Sequence, residues 1–167
     1  MTALEPTPTA PPTSSPRVAF VTGASRGIGE AIAKLLAEQG AHVIVSSRKI
    51  DGCQLVADVI NNAGGSAEAL ACHVGNMEQI ENTFAFIKQK FGKLDILVNN
   101  AGAAWGAAFV DFPETGWDKV VDLNMKTPFF LTQALHKDLL AGAASGHAAK
   151  VINIASIAGL VGRNPQA

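Results

Sequence analysis

Tyrosine is absent from the 167 residues, and cysteine occurs only at Cys53 and Cys72. Those two stand nineteen positions apart, with no CxxC and no paired histidines, so neither a disulfide framework nor a cysteine-based metal site is indicated. They read as small, reduced core residues, and no metal-ligand spacing stands out elsewhere. Charged residues make up only 16% of the chain, and the formal net charge is −1. A nucleic-acid binder would normally show a basic face, and this balance argues against one. No apolar run approaches the roughly 18 residues that span a bilayer. No leader is expected in the first sixteen residues: Met1 to Pro16 holds five of the eight prolines and no basic residue before Arg17. That stretch has neither the charged and apolar regions of a signal peptide nor the arginines of a transit peptide, and it reads as a disordered Pro/Thr-rich tail, residues 1–16. A soluble cytoplasmic protein is the resulting expectation. What is present is apolar: 48% of the residues, ample for one buried core.

From Arg17 onward strand and helix signals alternate. Val18 to Val21 is a short apolar run, the mark of a parallel strand covered on both faces. A helix follows with Ile28, Ala31, Ile32, Leu35 and Leu36 at helical spacing, ended by Gly40. His42 to Ser46 is the second strand, Asp51 to Asn62 a helix, and the segment Ala67 to Val74 contains the third strand. Met77 to Phe91 is a helix with Ile80, Phe84, Ile87 and Phe91 inward; Leu94 to Val98 is the fourth strand. One long helix is predicted from Pro113, as its first residue, to about Leu140, with Pro128 inside it as a kink. Lys150 to Ile154 is the fifth strand. Five strands with helical crossovers predict an α/β, doubly wound parallel sheet of order 3-2-1-4-5, with ligands at the carboxyl ends of the strands.

Between the first strand and its helix lies Thr22-Gly23-Ala24-Ser25-Arg26-Gly27-Ile28-Gly29. Gly23 allows a sharp turn, Gly27 allows the backbone to approach a pyrophosphate, and Gly29 allows the helix to pack on the sheet. The free N–H groups of the helix start then face the anion. No Gly-Lys-Ser/Thr follows, which disfavours a mononucleotide P-loop.

This segment resembles the T-G-x-x-x-G-x-G of the short-chain dehydrogenases/reductases. Asn99-Asn100-Ala101-Gly102 after the fourth strand matches that family's N-N-A-G, Asn124 in Leu123-Asn124-Met125 matches its helix asparagine, and Ser156 matches its serine after the fifth strand. The four motifs stand in order and cover the chain from Arg17, residues 17–167. The resemblance implies a Rossmann fold with five of the family's usual seven strands, and a domain incomplete at its C-terminal side. It implies a reaction interconverting a carbonyl and an alcohol on a small molecule. Ser156 would bind the substrate carbonyl, and Asn124 would help to hold a water in a proton relay. Thr22, Gly23, Ser25, Arg26, Gly27, Ile28, Gly29, Val74, Asn100, Ala101 and Gly102 would contact the cofactor. Asn99 is open to a purely structural role.

Cofactor choice turns on the end of the second strand. NAD-preferring members carry an acidic residue there, which binds the ribose 2′-OH; here Ser47 stands in its place, followed by Arg48 and Lys49. Arg26 and Arg48 can clamp a 2′-phosphate, so NADP(H) is favoured over NAD(H). Cys72-His73-Val74 departs from the family, which has an aspartate before the valine; a neutral His73 could accept a hydrogen bond from the adenine amino group. The family's proton donor, a tyrosine with a lysine four residues on, falls just past Ala167. His136 and His147 lie away from the strands' carboxyl ends and do not stand in for it. The expectation is an N-terminal fragment of an NADP-dependent reductase or dehydrogenase, itself inactive. The alternative is a non-catalytic dinucleotide-binding or subunit-interaction protein. Trp105 and Phe109, in the loop Ala103 to Phe112, are open to a substrate-pocket role or to ordinary packing. For the complete enzyme the resemblance implies a homo-oligomer.

Overall fold

The computed structural model describes residues 16–144 and 146–161. The N-terminal segment read as a tail lies outside them, apart from Pro16. Five strands, β1 (Val18–Thr22), β2 (His42–Ser47), β3 (Ser66–Ala71), β4 (Ile96–Asn99) and β5 (Lys150–Asn153), form one parallel sheet in the order β3-β2-β1-β4-β5. This is the predicted order. The register sets Thr22 beside Ser46 and Val21 beside Val98, so the carboxyl ends of the central strands finish together.

The sheet's period of two divides its side chains between two apolar layers. Ala19, Val21, Val43, Val45 and Val98 face α1 (Gly27–Glu38) and α2 (Ile50–Asn62), meeting Ala33, Ala37, Val56, Ala57 and Ile60. Val18, Phe20, Ile44 and Leu97 face the other way, against Ile80 and Ile87 of α3 (Met77–Phe91) and Leu131, Leu135 and Leu139 further along the chain. Both cysteines are buried and unpaired, one in each layer. Burial pushes both thiols above their ordinary pKa.

Two expectations are corrected. The buried stripe of α1 runs through Gly29, Ile32, Ala33, Leu36 and Ala37, one residue on from the predicted face, while Ile28 and Leu35 are exposed. Small residues face the sheet because the helix start lies directly on the glycine loop. The single helix from Pro113 to Leu140 is instead α4 (Glu114–Val121), a wider turn over Asp122–Lys126, α5 (Thr127–Ala134) and α6 (His136–Ala143). Pro113 is the N-cap rather than the first helical residue. The wide turn is a π-type bulge, with the Thr127 N–H donating to the Asp122 carbonyl five residues back. Pro128 explains it: its ring lacks the N–H that the Asn124 carbonyl would receive and would collide with that carbonyl in a regular turn. No described helix is long and apolar enough to cross a membrane.

Candidate dinucleotide and carbonyl site

The site begins where β1 ends. The Thr22 hydroxyl donates to the Val98 carbonyl at 3.1 Å and accepts the N–H groups of Asn100 and Ala101 at 3.0 and 3.1 Å. Asn100 Nδ2 returns two bonds, to the carbonyls of Thr22 (2.9 Å) and Gly23 (3.2 Å). The turn after β4 is thereby laced to the turn after β1, and both motifs open onto the same side of the sheet.

The three loop glycines are required for different reasons. Gly23 has φ +64°, and a Cβ there would stand 2.9 Å from Ala101 Cα. At Gly29 a Cβ would stand 2.5 Å from Asn100 Nδ2 and 2.6 Å from the Gly23 carbonyl oxygen, so only glycine lets α1 start this close to the laced turns. Gly27 has φ +62° and no described atom within 4 Å of where its Cβ would be. No described residue fills that space. Arg26, the N-cap of α1, is extended and caps nothing with its side chain, so the N–H groups of the first turn open onto the space beside Gly27.

Beyond β2, Arg26, Arg48 and Lys49 are exposed, and none makes an ion pair or side-chain hydrogen bond among the described residues. Val74 is buried, and its carbonyl accepts the Thr127 hydroxyl at 3.1 Å, bridging the β3 end to the start of α5. His73 is exposed, and its Nδ1 accepts the Gly75 N–H at 3.1 Å. That bond leaves Nε2 carrying the ring's proton, so the neutral ring has no acceptor left for an adenine amino group. The expectation for His73 is thus corrected by a local turn.

The second half of the site is a cavity of about 1120 Å³ between the turn after β4, α5 and β5. Ser156, Asn124 and the residues Asn99 to Ala104 line it. Asn124 sits in the π-type turn, and both ends of its side-chain amide are engaged: Oδ1 accepts the Ala103 N–H and Nδ2 donates to the Ala103 carbonyl, both at 2.8 Å. A Cβ on Gly102 would stand 3.3 Å from Asn124 Oδ1, which is why glycine precedes the clamped peptide. The Ser156 hydroxyl accepts the Ala158 N–H at 3.2 Å, capping the short 3₁₀ turn Ile157–Gly159. Its own proton has no partner among the described residues.

Asn99 does not face the glycine loop. Its Nδ2 donates to Asn153 Oδ1 at 2.8 Å and to Thr132 Oγ1 at 3.4 Å, while its buried Oδ1 is unpartnered among the described residues. His136, set aside by its place in the sequence, also lies on the cavity wall, with Thr132 and Asn153. Sequence spacing carried no signal for these three, because they come from α5, α6 and β5 and meet only where those elements pack. Trp105 packs on Gly116, where a Cβ would stand 2.7 Å from its ring, and Lys119 Nζ lies 5.2 Å from the ring centroid. Phe109 is almost fully exposed.

Comparison with known proteins extends this geometry. The sequence profile described as short chain dehydrogenase matches residues 17–167. A rhamnolipid-biosynthesis 3-oxoacyl-[acyl-carrier-protein] reductase of Pseudomonas aeruginosa is 38% identical over 151 residues, which cover 90% of this chain and 59% of the relative. The 3-oxoacyl-[acyl-carrier-protein] reductase FabG of Vibrio cholerae is likewise 38% identical, with 59% of its length covered. Among solved structures, the Pseudomonas aeruginosa RhlG/NADP active-site complex superposes with a TM-score of 0.83 at 38% identity, covering 89% of this chain and 57% of that one. A metagenomic short-chain oxidoreductase in complex with NADP gives a TM-score of 0.81 at 35% identity, with 89% and 66% covered. The chain thus spans about three-fifths of the length of the curated relatives it matches.

Proposed function

The chain belongs to the short-chain dehydrogenases, an oxidoreductase family, and from that premise we propose that it is the NADP(H)-binding part of an enzyme interconverting a carbonyl and an alcohol. The observation that carries the proposal is the open space at Gly27. There a left-handed glycine and helix amides without a side-chain cap border a space that no described residue fills, and Arg26 beside it and Arg48 and Lys49 after β2 are exposed with no ion pair among the described residues. A pyrophosphate fits this donor set, since its charge would be met by backbone N–H groups and by the α1 dipole. Thr22 and Asn100 hold the cradle's walls, Ser25, Ile28, Ala101 and Gly102 border it, and Val74 closes the adenine side. Arg26 and Arg48 supply the charge that a 2′-phosphate requires and a plain ribose does not.

When bound, the nicotinamide supplies or accepts the hydride. Ser156 donates its hydroxyl proton in a hydrogen bond to the substrate carbonyl, stabilising charge that gathers on the oxygen. Asn124 holds the Ala103 peptide and so fixes the cavity's roof against the helix. The 167 residues include no tyrosine, and general acid catalysis by such a group typically contributes ~10²–10⁴-fold. The 167-residue chain is therefore proposed to bind dinucleotide and a small carbonyl or alcohol without turnover of its own. The whole protein is proposed to be a cytoplasmic homo-oligomer. Trp117, Phe129 and Phe130, exposed on α4 and α5, support association.

Calorimetric titration tests the proposal. Saturable one-site binding of NADPH, tighter than that of NADH, is the expected result, and no binding of either dinucleotide would overturn it.

A further inference from the structure

We infer that Gly52, in the first turn of α2, is a positioning residue for cofactor selectivity: it seats Ser25 and so sets Arg26 of the glycine loop against Arg48 at the end of β2. The inference rests on the reading of the two arginines as a 2′-phosphate clamp. Glycine is, after proline, the poorest residue inside a helix, and Gly52 lies within α2. Its conformation does not explain it, because it is not among the glycines with positive φ. Space does. A Cβ on Gly52 would stand 3.0 Å from Ser25 Cβ and 3.7 Å from Ser25 Oγ. The residue after Ser25 is Arg26, so a displaced Ser25 carries the guanidinium with it.

The same turn of α2 holds the other cation. Ser47 Oγ and Cys53 Sγ meet at 3.1 Å, and each directs its hydrogen at the Lys49 carbonyl, at 3.1 and 3.4 Å. The segment bearing Arg48 is thus tied to Cys53, the neighbour of Gly52. Both arginines are referred to one helical turn, whose N-cap, Lys49, offers no side-chain cap to its amides. The turn acts as a spacer between two charges that carry no ion pair among the described residues.

The test is titration of the 167-residue protein and its variants with NADPH and with NADH, alongside thermal melting. Gly52→Ala is expected to weaken NADPH about tenfold, the scale of a charged hydrogen bond lengthened out of register, and NADH by no more than about twofold. Thermal melting weighs the helix gain from alanine against the crowding of Ser25; a purely structural role would move the melting temperature and weaken both cofactors alike, leaving their ratio unchanged. In a Ser25→Gly background, where the opposing Cβ is gone, Gly52→Ala adds nothing further, which a double-mutant cycle reads directly. An unchanged NADPH-to-NADH ratio in Gly52→Ala, with that ratio collapsing in Arg48→Ala, overturns the seat and leaves the clamp standing. A ratio indifferent to Arg48→Ala overturns the clamp reading, and the seat with it.

Discussion

Gly27 and Gly29 are two positions apart and chemically identical, yet they predict opposite phenotypes. A Cβ on Gly29 would stand 2.5 Å from the Asn100 amide, so Gly29→Ala overpacks the junction of α1 with both laced turns. It should destabilise the fold by about 1–3 kcal/mol, checked by thermal or urea unfolding. At Gly27 a Cβ meets no described atom within 4 Å; in Gly27→Val the left-handed backbone costs about 1–2 kcal/mol, while circular dichroism stays native and dinucleotide binding is lost. Binding that survives the substitution would place the pyrophosphate elsewhere. Arg48→Ala should cost ~1.5–3 kcal/mol for NADPH and little for NADH, the scale of a charged hydrogen bond; equal losses in titration calorimetry would sink the clamp. The need for glycine at Gly23, Gly27 and Gly29 was legible in the sequence, where the motif fixes the backbone around them. His73 shows the limit: its neighbour Gly75 takes the ring's acceptor nitrogen, a local turn that residue type and spacing do not announce.

Among the elements, the strands and the first three helices follow from periodicity, because a sheet buried on both faces demands apolar runs and amphipathic covers. Periodicity fails where two apolar phases overlap. In α1 the larger Ile28 and Leu35 mark one stripe, but the close approach at Gly29 selects the neighbouring stripe of small residues. It fails again at Pro128, where an apolar pattern continuous from α4 into α6 hides a π-type turn that the chain needs to pass the proline. The turn carries Asn124, whose amide makes two 2.8 Å bonds to the Ala103 peptide. Asn124→Ala should therefore free the loop after β4 at a cost of about 1–3 kcal/mol. Hydrogen exchange is the sensitive check, since the Ala103 amide loses its acceptor and should exchange faster while the amides of β4 keep their protection. Equal acceleration in β4 would mean that the asparagine supports the whole sheet rather than the loop.

At the scale of the molecule, the order β3-β2-β1-β4-β5 was readable because right-handed crossovers leave few ways to place five parallel strands in one sheet. The cavity was only half readable: Ser156, Asn124 and Asn99 belong to motifs, whereas Thr132, His136 and Asn153 join them only through the packing of β4, α5, α6 and β5. That packing also leaves β5 at the edge of the sheet, with all four residues exposed and Val151 and Ile152 at 42% and 41% accessibility. Side chains of a central-strand type on an edge, with open backbone donors and acceptors beside them, favour pairing with another chain. Trp117, Phe129 and Phe130 add exposed apolar surface on the helical layer. The 167-residue chain should therefore associate as its concentration rises and bind hydrophobic dyes, as sedimentation velocity and dye fluorescence would show. Ile152→Lys places a charge on the edge, and solvated lysines are how natural sheets discourage such pairing. The variant should sediment closer to the monomer and bind less dye, with NADPH affinity unchanged because the cradle lies at β1 and β2. A wild-type chain that remains a cooperatively melting monomer at about 100 μM, within the range where exposed edges normally aggregate, would refute this reading of the edge.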